Sequence, residues 1–125
     1  MYEFLPRRIL LVEDDPVIAI MLGEILHDLG HWVIGPCHTL EEGLVAVRSG
    51  GIDMAFLDFE LGPDTDAVPI AQALAEQDVP FAFATGKYPH RVSSIYSGRP
   101  VIAKPVAPSE IEAAILELGS PPAFH

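Results

Sequence analysis

Ile9-Leu10-Leu11-Val12-Glu13-Asp14-Asp15 is a short apolar run that ends abruptly in three acids. Four consecutive apolar residues without alternation fit a strand covered on both faces, and the acids mark where it leaves the core. Four later runs share the pattern: Trp32-Val33-Ile34, Met54-Ala55-Phe56-Leu57, Phe81-Ala82-Phe83-Ala84 and Val101-Ile102-Ala103. Their shortness and flanking turn residues favour strands over helix fragments. Amphipathic stretches lie between them. Asp15 stands at the N-cap of the first, with Pro16 at its first position. Val17, Ile18, Met21, Ile25 and Leu29 follow at helical spacing, and Gly30 is the stop. The second opens on Thr39-Leu40-Glu41-Glu42, a capping-box spacing, and carries Leu44, Val45 and Val47. The third runs from Asp66 to Glu76, with Pro69 tolerable only in a first turn. The last spans Pro108 to Leu118, with Ile111, Ile115 and Leu118 on one face. Between the fourth and fifth strands, Tyr88 to Pro100 is rich in Pro, Ser and Gly, so a helix there is expected to be short or mobile.

Five strands alternating with helices imply right-handed crossovers and one parallel sheet with helices on both faces, a doubly wound α/β fold. The 125 residues, half of them apolar, make one domain. It is expected over residues 1–119, with 120–125 an unstructured tail and no output domain. Eighteen acids against seven bases give a net charge of −11. That argues against nucleic acid or an anionic membrane as a direct partner, since both need a basic patch. The single cysteine, Cys37, excludes an intrachain disulfide framework and fits a reducing compartment. No apolar run approaches the ~20 residues of a membrane span, and the start lacks the basic-then-apolar order of a signal peptide. The expected location is the cytoplasm.

In such a sheet, ligands sit at the carboxyl ends of the strands, where strand order reverses. The first strand runs into Glu13-Asp14-Asp15, the third into Asp58, the fourth into Thr85-Gly86 and the fifth into Lys104-Pro105. Acids from two strands, a hydroxyl and an ammonium thus converge on one rim. Clustered carboxylates repel one another unless a cation is bound, and oxygen ligands suit Mg²⁺. With the metal present, Asp58 is a candidate nucleophile for phosphoryl transfer, which needs positioning and charge neutralisation of the kind a metal, a Thr and a Lys supply.

These motifs — ILLVEDD, the strand ending in Asp58, FATG and AKP — resemble the bacterial response-regulator receiver domain (CheY-like), and the match covers Arg8 to Leu118. The resemblance implies a flavodoxin-like (βα)5 strand order 2-1-3-4-5. It implies a phosphoacceptor of a two-component phosphorelay rather than an enzyme with a separate substrate. Asp58 would take a phosphoryl group from a histidine kinase or a histidine phosphotransfer protein. Glu13, Asp14, Asp58 and the backbone carbonyl of Glu60 would hold Mg²⁺, while Thr85 and Lys104 would contact the phosphoryl oxygens. Asp15 would be a helix cap, and Lys104–Pro105 is expected to be cis. Phe83-Ala84-Thr85-Gly86-Lys87-Tyr88 also resembles the signature of the FAT-GUY subgroup of single-domain receivers, whose kinases are of the HWE or a related class.

The chain departs from the family at one switch position. Three residues before Lys104, most receivers carry a Tyr or Phe that swings inward; here the residue is Val101. Tyr88, close to Thr85 in sequence, is the alternative switch candidate, with a simple packing role beside it. Glu60 reads either as a carboxylate facing the pocket or as a solvated side chain lending only its carbonyl. Two other functions stay open. A pseudo-receiver would bind partners without phosphorylation. An aspartyl-nucleophile Mg²⁺-dependent phosphatase usually has a second Asp two residues after the nucleophile, where this chain has Glu60. A phosphate-binding P-loop fails, because Thr85-Gly86-Lys87 lacks the preceding Gly and the following Ser/Thr. His27 and His31 have ligand spacing without a third ligand, Cys37 fits a buried apolar residue, and Asp64-Thr65-Asp66 fits a turn leading into a helix cap.

Overall fold

Side-chain alternation along the strands divides the core in two. The computed structural model describes residues 5–87, 91–92, 96 and 98–119. Its strands are β1 (Arg8–Val12), β2 (Trp32–Cys37), β3 (Met54–Asp58), β4 (Phe81–Thr85) and β5 (Val101–Ala103). All pair in parallel, in the order β2-β1-β3-β4-β5. The described helices are α1 (Pro16–Asp28), α2 (Leu40–Ser49), α3 (Val68–Glu76) and α4 (Pro108–Gly119). Leu10, Val12, Ala55, Leu57, Phe81 and Phe83 face α2 and α3, where they meet Val47, Ile70 and Leu74. Their neighbours Ile9, Leu11, Met54, Phe56 and Ala82 face the other way and meet Leu22 and Leu26 of α1 and Ile111 and Ile115 of α4. The period-2 geometry of a strand feeds both layers from one run, which is why the central runs are apolar throughout.

The two edge strands depart from that expectation. Along β2 only Cys37 is buried, and β5 buries only Ile102, because each edge strand has one neighbour and partial helix cover. β2 also extends beyond Ile34 to Cys37, through a cis Gly35–Pro36 bond and an irregularity in its pairing between Leu10 and Val12. The Lys104–Pro105 bond is cis, as expected.

The caps follow the sequence with two differences. Asp15 accepts from the N–H groups of Val17 and Ile18. Thr39 accepts from the Glu42 N–H, but the Glu42 carboxylate takes the N–H of His38 at 2.6 Å rather than that of the cap residue. Helix α3 starts at Val68, not Asp66, because residues 60–67 close on themselves first. Glu60 pairs with Asp66 as an antiparallel bridge, and the Ala67 N–H bonds the Phe59 carbonyl at 2.9 Å. Ala67 holds the N-cap position without a side-chain bond, while Asp66 before it accepts from the Val68 N–H at 2.9 Å, and Pro69 falls in the first turn. Gly43 lets α2 approach α3 closely, since a Cβ there would lie 2.5 Å from Ile70 Cδ1.

In the β4–β5 crossover, Val92 is fully buried and Tyr96 packs its ring on Phe83 at 4.8 Å. Residues 88–90, 93–95 and 97 of the stretch expected to hold a short helix, Tyr88 among them, lie outside the described residues, as does the expected tail 120–125. Among the described residues, no helix is long and apolar enough to cross a membrane.

His27 is exposed, while His31 is buried at the amino end of the sheet, and its Nδ1 accepts the Arg7 N–H at 3.0 Å. The pair does not form a metal site; the acidic triplet at the opposite rim is the only such cluster among the described residues. Burial, then the Arg7 charge, hold the His31 imidazole below its ordinary pKa of 6.5. The unfolded chain therefore binds a proton that the fold refuses, and stability falls as pH drops through 6.5. In chemical denaturation between pH 7.5 and 5.5 this group should contribute a loss of up to about 1.4 kcal/mol per pH unit, against the opposite slopes of other titrating groups. The difference between parent and His31→Gln should isolate it, and an equal pH slope in both would contradict this assignment.

Candidate functional site

The strand order reverses between β1 and β3, so their carboxyl ends flank an open crevice. Three backbone bonds carry the ladders past the strand ends: Glu13 N–H to Cys37 O (2.9 Å), Phe59 N–H to Ala84 O (2.9 Å) and Lys104 N–H to Thr85 O (3.0 Å). The residues that lead into the crevice are thus held by the sheet rather than by free loops.

Glu13, 1% exposed, gives one carboxylate oxygen to Lys104 Nζ at 2.7 Å and the other to the Asp15 N–H at 3.1 Å. Asp58, 4% exposed, lies with Oδ1 3.2 Å from the same ammonium. Asp14 is exposed at the mouth. Carboxylate oxygens of Glu13, Asp14 and Asp58 all fall within 4.8 Å of one another. Three hard oxygen donors at that spacing fit a small divalent cation such as Mg²⁺, and receiver domains typically bind one. The His38 ring lies against the Glu13 carbonyl, with Nδ1 at 3.0 Å, a contact that its position outside every strand run gave no reason to expect.

Crowding sets the protonation. Burial first, then hydrogen bonds with Asp14 and Glu13 and repulsion from Glu13, push Asp58 from 3.8 up to about 9, against the pull of Lys104. At Asp14 burial pushes upward, but hydrogen bonds to Asp58 and Glu13 and the Lys104 charge outweigh it and leave the group below its ordinary value. Without a cation the cluster therefore favours keeping a proton, with Asp58 the member pushed upward. Burial opposes the Lys104 charge, yet its bonds and attraction to Glu13 and Asp58 hold that group above its usual range.

Thr85 is fully buried at the end of β4, and its hydroxyl donates to Glu60, whose two oxygens lie at 2.7 and 2.8 Å. The sequence left the Glu60 side chain undecided between pocket and solvent; it lines the crevice and bonds Thr85 there. Val101 is half-buried against the α2–α3 layer.

No family model matches the chain. Among solved structures, SdrG from Sphingomonas melonis Fr1 is 40% identical, with a TM-score of 0.80 over 90% of this chain and 96% of SdrG. The PhyR response regulator REC domain of Erythrobacter litoralis is 26% identical, with a TM-score of 0.77 over 95% of this chain and 97% of that domain. The chain belongs to the response-regulator receiver domains. As a receiver it is also 32% identical over 112 residues to the phyllosphere-induced regulator PhyR of Methylorubrum extorquens, which covers 86% of this chain and 42% of PhyR. The receiver spans less than half the length of the curated relatives it matches.

The raised Asp58 pKa has a measurable sign. Between the ordinary carboxylate range and about 9, the fold holds a proton that the unfolded chain has released, so metal-free stability falls as pH rises. With a chelator present, denaturation from pH 5.5 to 8 should show a contribution of that sign, up to about 1.4 kcal/mol per pH unit for one proton. Asp58→Asn should remove the slope and be more stable than the parent at pH 8; a parent-like slope in the variant would assign the proton elsewhere.

Proposed function

We propose that this receiver accepts a phosphoryl group on Asp58 from the phosphohistidine of a histidine kinase or histidine phosphotransfer protein, and signals through protein contacts. One observation carries the reading: Asp58, Glu13 and Asp14 cluster at the switch point of the sheet, with Lys104 Nζ 3.2 Å from the Asp58 carboxylate. In the transfer, an Asp58 oxygen attacks phosphorus as the phosphorus–nitrogen bond breaks, and the bonding pair leaves with the imidazole of the donor. Lys104, already on Asp58, follows the developing charge onto a phosphoryl oxygen, and Thr85 donates its hydroxyl proton to another. Glu13, Asp14, Asp58 and the Glu60 carbonyl would hold Mg²⁺, which would supply the charge that ionises Asp58 and neutralises phosphoryl oxygens. Lys104 pulls the Asp58 pKa down, but burial and the neighbouring acids outweigh it.

The product is a phosphorylated protein rather than a released small molecule. A phosphatase reading is weakened by Glu60, whose carboxylate is engaged by Thr85. The Phe83–Tyr88 sequence supports membership of the FAT-GUY subgroup, and with it a donor kinase of the HWE or a related class.

Incubation with Mg²⁺ and acetyl phosphate or a donor kinase, followed by intact-mass measurement, tests the reading. One phosphoryl group should be gained by the parent and none by Asp58→Asn. Lys104→Ala should slow the gain about 100-fold, the scale of losing one electrostatic stabiliser. No gain with any donor would favour a binding module that is never phosphorylated.

A further inference from the structure

The bond between Glu60 and Thr85 joins two residues 25 apart in sequence. A hydroxyl has one proton to give, and here it points at a carboxylate, while the Thr85 oxygen accepts the Lys87 N–H at 3.3 Å. Glu60 does not arrive there by a free swing of a loop. Its backbone pairs with Asp66, the Leu61 N–H bonds the Thr65 carbonyl at 2.9 Å, and the Ala67 N–H bonds the Phe59 carbonyl at 2.9 Å. A closed loop thus presents the carboxylate to the one hydroxyl that phosphoryl transfer would need.

We propose that Glu60 is a positioning residue that latches Thr85 in its resting orientation, and that a phosphoryl group on Asp58 must displace this carboxylate to obtain the Thr85 proton. The proposal rests on the role of Asp58 and Thr85 given above. Carboxylate and phosphoryl oxygens are acceptors of the same charged class, so the exchange swaps one charge-assisted bond for another. The two anions also repel, so the carboxylate opposes the group that replaces it. Glu60 thereby sets the balance between resting and engaged Thr85, and a shift in that balance is what an activating ligand exploits. This suits a chain with Val101 where an aromatic gate would stand: the restraint on Thr85 is polar instead.

Two measurements on the folded full chain test it. In the free protein, NMR couplings to the Thr85 methyl should report a single rotamer in the parent and averaging in Glu60→Ala. Titration with beryllofluoride and Mg²⁺ should then show about tenfold tighter binding in Glu60→Ala, the scale of one charge-assisted bond relieved, with Glu60→Gln between the two. Loss of negative charge alone would also tighten anion binding, and Thr85→Val separates the causes. In that background Glu60→Ala should gain less than about twofold. An equal gain in both backgrounds, no gain in the single variant, or an unaveraged Thr85 rotamer in Glu60→Ala would overturn the latch. If neither parent nor Glu60→Ala binds beryllofluoride, the phosphoacceptor reading fails, and the rotamer measurement still decides the latch.

Discussion

One ammonium holds the carboxyl edge of this sheet together. Lys104 Nζ bridges Glu13 after β1 and Asp58 at the end of β3, two buried acids that would otherwise face each other uncompensated. Removing the ammonium from such a cluster costs more than its ion pairs contribute, because the acids left behind stay out of water without a countercharge. The bridge works only because the backbone of Lys104 is fixed to Thr85, and that of Glu13 to Cys37, by continuations of the strand ladders. The electrostatics of the site therefore depend on the register of all five strands at once.

The same crowding separates what favours the fold from what favours the chemistry. A protonated Asp58 relieves repulsion but is a poor nucleophile, and an ionised one is reactive but strains the cluster. A divalent cation reconciles the two, since it replaces the proton and offsets the charge. An acidic rim of this kind could hold a cation, with Glu13, Asp14 and Asp58 as the candidate donors.

Most of the fold was legible because central strands of a doubly wound sheet leave a strong trace: apolar throughout, short, and ended by polar residues. Glu13, Asp58 and Thr85 could be placed from that trace, since each stands where an apolar run stops, and Lys104 follows the fifth run directly. The edges were less legible. Strand β2 is only partly covered and runs on through Gly35 and Pro36, which read as strand breakers. The start of α3 was set by the Glu60–Asp66 bridge, a pairing with no periodic signature. The Glu60–Thr85 bond was invisible for a related reason. It depends on how a loop closes, whereas sequence pattern reports burial and period. The Val101 departure was plain in the sequence, but the packing of Tyr96 on Phe83 was not, because Tyr96 finds Phe83 only through the path of the crossover.

Each strand from β1 through β3, β4 and β5 ends in or runs into one reactive group, and each pairs in parallel with its neighbour in a defined register, such as Leu57 with Phe83 and Thr85 with Ala103. This makes the molecule unevenly tolerant of changes in length. Extra residues at the amino-terminal edge of the sheet, in the turn after α2 or after α3, move nothing that reacts. A single residue added inside a central strand shifts its terminal group by about 3.3 Å and turns its side chains to the opposite layer. Insertions and deletions should accumulate on one end of this protein and be purged from the other, so that its length variation alone would outline the site.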